Sequence, residues 1–168
     1  MAGQFARKLL AANVNGQPLL GEMGDFTPPN ITKTMESARG GKFIPDEVMV
    51  GIEQMEYSLQ IFGATAELLQ NYGLSADEVC QVDVKEALED KDGNKSVVHY
   101  SLSGEIKTVA EGTVSMGSKP EVTISGSPFA YKKTQDGKIL YDINTKTQVI
   151  DLGKGDIMAE HRRAVGLS

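Results

Sequence analysis

The segment Val48–Gly63, VMVGIEQMEYSLQIFG, decides the fold because its apolar residues fit either a helix or a β-strand. A helix would explain the apolar residues that recur at every third or fourth position. It would also place Gly51 in its interior and leave only Asp46, which follows a proline, to cap its first turn. Both features favour the strand.

A strand over this segment requires one change of phase. The apolar residues occupy even positions as far as Ile52 and odd positions from Met55 onwards. Because side chains alternate between the two faces of a strand, one β-bulge near Glu53 and Gln54 would supply the shift. The sequence therefore predicts one long, bulged strand, which exceeds the usual length of about 5 to 6 residues.

A second β-like run, residues 31–36, precedes this strand. The connection from Ser37 to Glu47 is long and contains Gly40 and Gly41. An exposed strand edge of this extent invites pairing with another chain.

Three dipeptides suited to tight turns, Asn15-Gly16, Asp92-Gly93 and Asp136-Gly137, predict three further hairpins. Apolar and polar residues alternate around the second turn and after the third, which is typical of half-buried strands. The apolar members are Cys80, Val82, Val84, Val98, Tyr100, Leu102, Ile106, Ile139, Tyr141 and Ile143. Residues 121–133 form another β-like run, in which Pro128 is better tolerated at an edge or a bulge than in a central strand.

Helix signals occur in two places. In GATAELLQNYGL, residues 63–74, Thr65 could cap the start and Gly73 the end, and a second helix is predicted over residues 156–164. The fold class is therefore mainly β, with two short helices. The 168 residues are enough for a single domain, 1–168, that buries about 70% of its unfolded surface.

Composition gives no indication of a surface that binds nucleic acid or a membrane. The formal net charge is −6, with 23 acidic and 17 basic residues, and the basic residues form no stripe. The N-terminal region lacks the apolar run of a signal peptide, and no segment is apolar for long enough to span a bilayer. We therefore expect synthesis in the cytosol and no contact with a membrane.

The residues that most often carry chemistry form no constellation. His99 and His161 lie far apart without metal-ligand spacing, and Cys80 alternates with valines on an apolar face, as a buried thiol would. On an extended strand Glu53 and Glu56 would face opposite sides, which does not suit paired acid–base catalysis. We expect no catalytic site, no metal and no cofactor.

Three motifs, taken together, resemble the major tail tube proteins of contractile-tailed bacteriophages and the tube proteins of phage-tail-like bacteriocins. They are GIEQME (51–56), DGKILYDI (136–143) and GDIMAEHRRAVGL (155–167), and Tyr72-Gly73-Leu74 ends the first predicted helix as in that family. The likeness covers nearly the whole chain in order. The first 13 residues are less typical, and the tryptophan that some relatives carry in mid-chain is absent.

The resemblance implies a structural subunit. Each copy would be a small β-sandwich or barrel with one flanking helix and a short C-terminal helix, and residues 48–63 would pair with the run before Gly40-Gly41 as a long hairpin. Six copies would form a ring in which the long β-hairpins build a continuous inner barrel, and the rings would stack into a hollow tube that conducts DNA without binding it specifically. The implied partners are further copies of the chain, the contractile tail sheath, the tail initiator or baseplate, the terminator and the tape-measure protein. The implied location is the virion tail, assembled in the cytoplasm of the host bacterium.

The same resemblance implies roles for particular residues. Glu53 and Glu56 are candidates to face the lumen. Candidate contacts between subunits or rings are Gly40, Gly41, Lys42, Phe43, Met49, Gly51, Met55, Asp156 and Arg162. Two other interpretations stay open: a ring-forming tube protein of a phage-tail-related secretion system, and a monomeric β-barrel that binds a small ligand. An enzyme is the weakest alternative.

Overall fold

The computed structural model describes residues 4–14, 17–18, 23–62 and 79–167. Within these ranges the chain forms eleven strands and one short helix. The strands are β1 Ala6–Val14, β2 Gln17–Pro18, β3 Met23–Thr27, β4 Lys33–Ala38, β5 Asp46–Ile52, β6 Tyr57–Phe62, β7 Cys80–Glu89, β8 Lys95–Glu111, β9 Glu121–Gln135, β10 Lys138–Asn144 and β11 Val149–Asp151; the helix is α1 Ala159–Ala164. The predicted helix over 63–74 and the Asn15-Gly16 turn lie outside the described residues.

The long strands β8 and β9 connect two halves of one antiparallel sheet. Along the first half the order is β11-β10-β9-β8-β7-β1-β2. At residues 121–126 of β9, β6 takes the place that β10 has farther along the strand, and β6 pairs in turn with β3. The aromatic rings of Phe26 on β3 and Tyr100 on β8 lie 5.4 Å apart, so the second half folds back over the first. The described strands leave this sheet open.

Bulges in the β8–β9 pair bend these two long strands where the second half of the sheet folds back over the first. The pairing shifts between Ser103 and Gly104, beside Pro128, which confirms the expectation that this proline accompanies a bulge. A Cβ atom at Gly104 would lie 2.8 Å from the Cα of Pro128 and from the carbonyl oxygen of Ser127, closer than real contacts allow. Glycine is therefore needed where the two backbones approach.

The predicted alternation produces the core. Cys80, Val82 and Val84 are buried on β7, as are Val98, Tyr100 and Leu102 on β8. The largest fully buried side chains are Leu59, Ile61, Leu102 and Ile124. Of the ten apolar residues that the alternation predicts to be at least half-buried, only Ile139 is exposed. The β9–β10 pairing shifts between Ile139 and Tyr141, which explains this exception.

Two predicted turns are confirmed. Asp136 and Gly137 join the paired residues Gln135 and Lys138, and both have positive φ, 51° and 83°, as a two-residue hairpin requires. The β7–β8 hairpin turns at Asp92-Gly93, where Gly93 has φ of 82°. These local signals succeeded because each turn type restricts φ to values that few residues tolerate.

The opening segment is β rather than helical, but it is two strands and not one. β5 ends at Ile52 and β6 begins at Tyr57, and the strands belong to different sheets. Among the described strands β5 pairs only with β4, whereas β6 pairs with β3 and β9. The phase change falls where the bulge was expected, but it is a break over residues 53–56. The predicted pairing of this segment with the run before Gly40 is confirmed for β5 alone.

Candidate assembly surface

The hairpin β4–β5 stands apart from the core. Every residue of β4 is exposed, and in β5 only Met49, Gly51 and Ile52 are half-buried. Neither strand pairs with any of the other described strands. A two-stranded ribbon is at best marginally stable alone in water, and its outer edges present unpaired backbone groups. The hairpin is thus incomplete as a sheet in the isolated subunit.

The hairpin also exposes apolar side chains. Phe43 and Ile44 at its tip are 92% and 73% exposed, and Met35, Val48 and Val50 on its strands are between 41% and 53% exposed. Single exposed apolar residues are common, but five of them on one hairpin favour a contact site. The hairpin therefore has both the backbone and the side chains of an assembly element.

Hydrogen bonds give the tip a defined shape. Gly40 has φ of 54°, a conformation that favours glycine. The Arg39 guanidinium donates to the carbonyl oxygens of Lys42 (3.4 Å) and Phe43 (3.2 Å), and Lys42 forms an ion pair with Asp46. The Phe43 ring consequently projects into solvent. Four predicted contact residues, Gly40, Gly41, Lys42 and Phe43, form this exposed tip.

Three hydrogen bonds of 2.8 Å fix the base of the hairpin. The Glu53 backbone N–H donates to the carbonyl oxygen of Thr32, the Gln54 amide donates to the hydroxyl of Ser127, and that hydroxyl donates to the carbonyl oxygen of Met55. The Met55 side chain is 4% exposed and belongs to the core. Packing within its own subunit accounts for this burial, and the predicted contact of Met55 with another copy stays a prediction.

Glu53 and Glu56 both line one small polar hollow, together with Asn30 and Thr32. Residues 53–56 lie between β5 and β6, so the strand alternation that predicted opposite orientations for the two carboxylates does not apply to them. The carboxylate of Glu56 pairs with Lys107 at 2.8 Å, and both side chains are largely exposed. Glu53 forms no ion pair with any described residue, so its negative charge is the less compensated of the two.

A groove of about 900 Å³ lies between the base of the hairpin and the C-terminal segment. Its apolar lining residues include Met49, Ile52, Met55, Phe129, Ile143, Ile150, Ile157 and Met158. Two predicted contact residues, Met49 and Gly51, are on its hairpin side. A Cβ atom at Gly51 would meet nothing within 4 Å, so this side of the groove is open to an approaching chain.

The last two predicted contact residues bind each other. Arg162 Nη2 lies 2.5 Å from Asp156 Oδ2, and Arg162 Nη1 donates to the carbonyl oxygen of Gln148 at 2.9 Å. Asp156 Oδ1 accepts from the backbone N–H groups of Ile150 and Met158. The hydrogen bond from Arg162 and those from the backbone lower the pKa of Asp156 from 3.8 to about 2. The pair holds one wall of the groove; its contact with another copy stays a prediction.

The remaining reactive groups have structural surroundings. Burial raises the pKa of the Cys80 thiol to about 11, which disfavours a nucleophilic thiolate. His99 Nε2 lies 3.2 Å from a carboxylate oxygen of Asp83 on the neighbouring strand. In the ranges that the structure describes, His, Cys, Asp and Glu form no group of three suited to a metal ion. The same ranges contain no helix with the length and apolar character to cross a membrane.

A family model described as phage tail tube protein FII matches residues 7–166. The chain belongs to that family. The tail tube protein of Escherichia phage P2 is 27% identical to it over 169 residues, covering 96% of this chain and 98% of the phage P2 protein. Membership in the tail tube family confirms the resemblance in the sequence motifs and assigns the protein a structural place in the contractile tail of a virion.

Solved structures with a fold similar to that of this tail tube protein include chains of contractile injection systems. A chain of the PVC sheath-tube complex in the extended state has a TM-score of 0.55 at 11% identity, covering 74% of this chain and 87% of that chain. A chain of the anti-feeding prophage baseplate has a TM-score of 0.52 at 14% identity, covering 82% and 95%. At these identities the likeness concerns the fold, and it confirms the mainly β fold class.

Sequence reasoning identified the hairpin of this tail tube protein but missed the groove. The hairpin is a local feature, signalled by two β-like runs and a glycine-containing connection. The groove combines residues from β5, β9, β10 and the C-terminal segment, and no local pattern brings these together. The only signal was the third family motif, which contains Ile157 and Met158 but gives no indication of a cavity.

Proposed function

We propose that six copies of this tail tube protein close into a ring, and that the rings stack into a hollow tube that conducts DNA inside a contractile sheath. The observation that supports this most directly is the hairpin β4–β5, an unpaired ribbon with exposed apolar side chains. Pairing between hairpins of neighbouring copies would satisfy both outer edges. Each contact joins two different surfaces, and the rotation between copies closes the ring.

The dimensions of such a ring suit its cargo. If each copy lends four strands, β4 and β5 among them, the inner barrel has about 24 strands. Strands spaced about 4.8 Å apart and tilted about 45° give a backbone diameter of roughly 50 Å. The space that remains inside the side chains admits a DNA duplex.

The acidic character of the subunit suits passage without binding. A lumen rich in Lys and Arg would neutralise phosphates and release counterions, which would hold the DNA in place. We assign at least one of Glu53 and Glu56 to the lumen. Because Lys107 compensates Glu56, the uncompensated charge of Glu53 contributes more of the repulsion.

The other proposed properties follow from this role. The chain acts as a single domain, residues 1–168, without catalytic activity or a cofactor. Besides further copies of itself, its partners are the sheath, the initiator or baseplate, the terminator and the tape-measure protein. Chains of similar fold occur in a sheath–tube complex, a sheath/tube terminator and a baseplate, which supports the first three of these contacts by analogy.

The alternatives have less support. A secretion-system tube would share this fold, but the family match and the phage P2 relative favour a phage tail. A monomeric ligand-binding barrel would need a closed sheet, whereas the described strands form an open one and leave a separate hairpin unpaired.

The test is electron microscopy of the concentrated protein with two matched variants. Val48 on the hairpin and Val97 on β8 are each 51% exposed, so Val48→Lys and Val97→Lys add the same charge to equally accessible sites. The wild type and Val97→Lys should form stacked rings or tubes, and Val48→Lys should not, because its charge would be buried between copies. Single small particles from the wild type, even with a tail initiator present, would overturn the proposal.

A further inference from the structure

The sequence contains two aspartate–glycine pairs, and the fold holds them differently. Asp92-Gly93 lies in the loop between β7 and β8, and Asp136-Gly137 forms the turn between β9 and β10. In such a pair the glycine nitrogen can attack the aspartate carboxyl, because glycine has no side chain to obstruct the approach and its backbone rotates freely. Both aspartates are exposed. A difference in their reactivity would therefore come from hydrogen bonding and backbone geometry.

The reaction is an isomerisation that needs only water. The Gly93 nitrogen attacks Cγ of the protonated Asp92 carboxyl, the new N–Cγ bond closes a succinimide ring, and the carboxyl hydroxyl leaves with the amide proton as water. Hydrolysis adds water back at either ring carbonyl, which restores aspartate or leaves isoaspartate. The isoaspartyl product has one additional methylene group in the backbone. No oxidant, reductant or cofactor takes part.

We propose that Asp92 is a site of isoaspartate formation in the folded chain and that the fold protects Asp136 from the same reaction. None of the described residues donates a hydrogen bond to the Asp92 carboxylate or forms an ion pair with it. The loop is held instead by Asp90, whose side chain accepts from the backbone N–H groups of Asp92 (2.9 Å) and Asn94 (2.8 Å). The Asp92 side chain is thus free to turn towards Gly93.

The attacking nitrogen is also weakly held. The Gly93 N–H donates to the carbonyl oxygen of Asp90 over 3.3 Å, slightly beyond the usual range for such a bond. Gly93 has φ of 82°, a conformation that favours glycine. Neither feature prevents the rotation that ring closure requires.

Both carboxylate oxygens of Asp136, in contrast, are hydrogen-bonded. Oδ1 accepts from the backbone N–H of Val97 at 2.9 Å, and Oδ2 accepts from the hydroxyl of Ser96 at 2.8 Å. These bonds from Val97 and Ser96 lower the pKa of Asp136 below its ordinary value, which favours the ionised form, the weaker electrophile. Both bonds have to break before this carboxyl can turn towards Gly137.

The two loops also differ in how well they accommodate the product. Residues 90–94 separate the last paired positions of β7 and β8, so an additional methylene group there lies outside the strand pairing. In the other turn, Asp136 and Gly137 alone separate the paired residues Gln135 and Lys138. A two-residue turn of this type depends on the φ values of both residues, and a longer backbone would disrupt the adjacent pair.

Peptide mapping by mass spectrometry tests this inference on the unassembled wild-type subunit. The protein is incubated at physiological temperature and mildly acidic pH, folded in one sample and unfolded in urea in the other. Electron-transfer fragmentation then distinguishes isoaspartate from aspartate at each position. In the folded sample isoaspartate should form about tenfold or more faster at position 92 than at 136, because two hydrogen bonds protect Asp136. In urea the two rates should become similar.

Two variants identify the cause. Asp92→Glu should remove the product at position 92 alone, because its longer side chain would have to close a larger ring. Ser96→Ala removes one hydrogen bond from Asp136 and should raise the rate at position 136 without changing the rate at position 92. An unchanged rate at 136 in this variant would overturn the assignment of the protection to these bonds.

Equal rates at the two positions in the folded wild type, or no isoaspartate at position 92, would overturn the inference as a whole. The reaction takes place within one subunit. A protein that isomerises as expected but never forms rings or tubes would therefore overturn the proposed function alone.

Discussion

Asp156 and Arg162 attach the C-terminal segment to β11 through one ion pair and hydrogen bonds to three backbone groups. Because the pKa of Asp156 is lower in the folded chain than its ordinary value of 3.8, this attachment is complete above about pH 4 and is lost as the pH falls towards 2. Hydrogen-exchange protection of the α1 amides should fall over that range in the wild type. In Asp156→Asn it should be low throughout and independent of pH. Equal protection in the two proteins at pH 5 would contradict this account.

Gly51 separates a role in folding from a role in assembly. Alanine at this position meets no described atom within 4 Å and removes the entropic cost of glycine in a strand, so Gly51→Ala should leave the subunit as stable or stabilise it by up to about 1 kcal/mol. If a neighbouring copy packs into the groove at this position, the added methyl group should lower the yield of sedimentable tubes. Thermal unfolding of the unassembled subunit and sedimentation of tubes measure the two effects. Tubes formed at undiminished yield would remove Gly51 from the interface.

At the scale of single residues, sequence patterns predicted which side chains are buried better than which of them contact another copy. Cys80 and the alternating valines on β7 are buried as expected, because period-two alternation directly reports the two faces of a strand. Met55 was assigned to an interface and is buried in its own subunit, and its contact with another copy stays a prediction. The family motif that contains it does not distinguish a residue kept for packing from one kept for contact.

At the scale of elements, the sequence predicted the strands and two turns but not the break that separates β5 from β6. Residues 53–56 leave the extended conformation where Gln54 and the Met55 carbonyl bind Ser127, more than 70 positions away. A local pattern can reveal a change of phase, but it cannot distinguish a bulge from a change of sheet, because the distinction depends on this distant partner. The sandwich was implied by the family resemblance, because local periodicity predicts strands but not how they pack.

Amide hydrogen exchange should divide the strands into two classes. In the unassembled subunit, β4 and β5 should exchange rapidly, because a two-stranded ribbon opens easily, while the paired interiors of β8 and β9 should be protected. In tubes, exchange in β4 and β5 should slow by at least tenfold, with β8 and β9 as the internal control. Rates in the hairpin that do not change upon assembly would contradict its role as the element completed by neighbouring copies.

At the scale of the whole molecule, the subunit has a self-contained core and an incomplete hairpin beside an open apolar groove. The resemblance of three sequence motifs predicted the fold class and the family. It could not predict the groove, since that surface exists only after β5, β9, β10 and the C-terminal segment have come together. The two features that the isolated subunit leaves unsatisfied, strand edges and exposed apolar side chains, both occur on the hairpin that family members are expected to contribute to their inner barrel.

The most direct test of this account is a cryo-electron microscopy map of the assembled tube at a resolution that separates β-strands. The account predicts six copies in each ring, a continuous inner barrel that includes β4 and β5 of every copy, and Glu53 or Glu56 facing the channel. A channel lined by other strands, with the β4–β5 hairpins on the outer surface and their edges still unpaired, would contradict it.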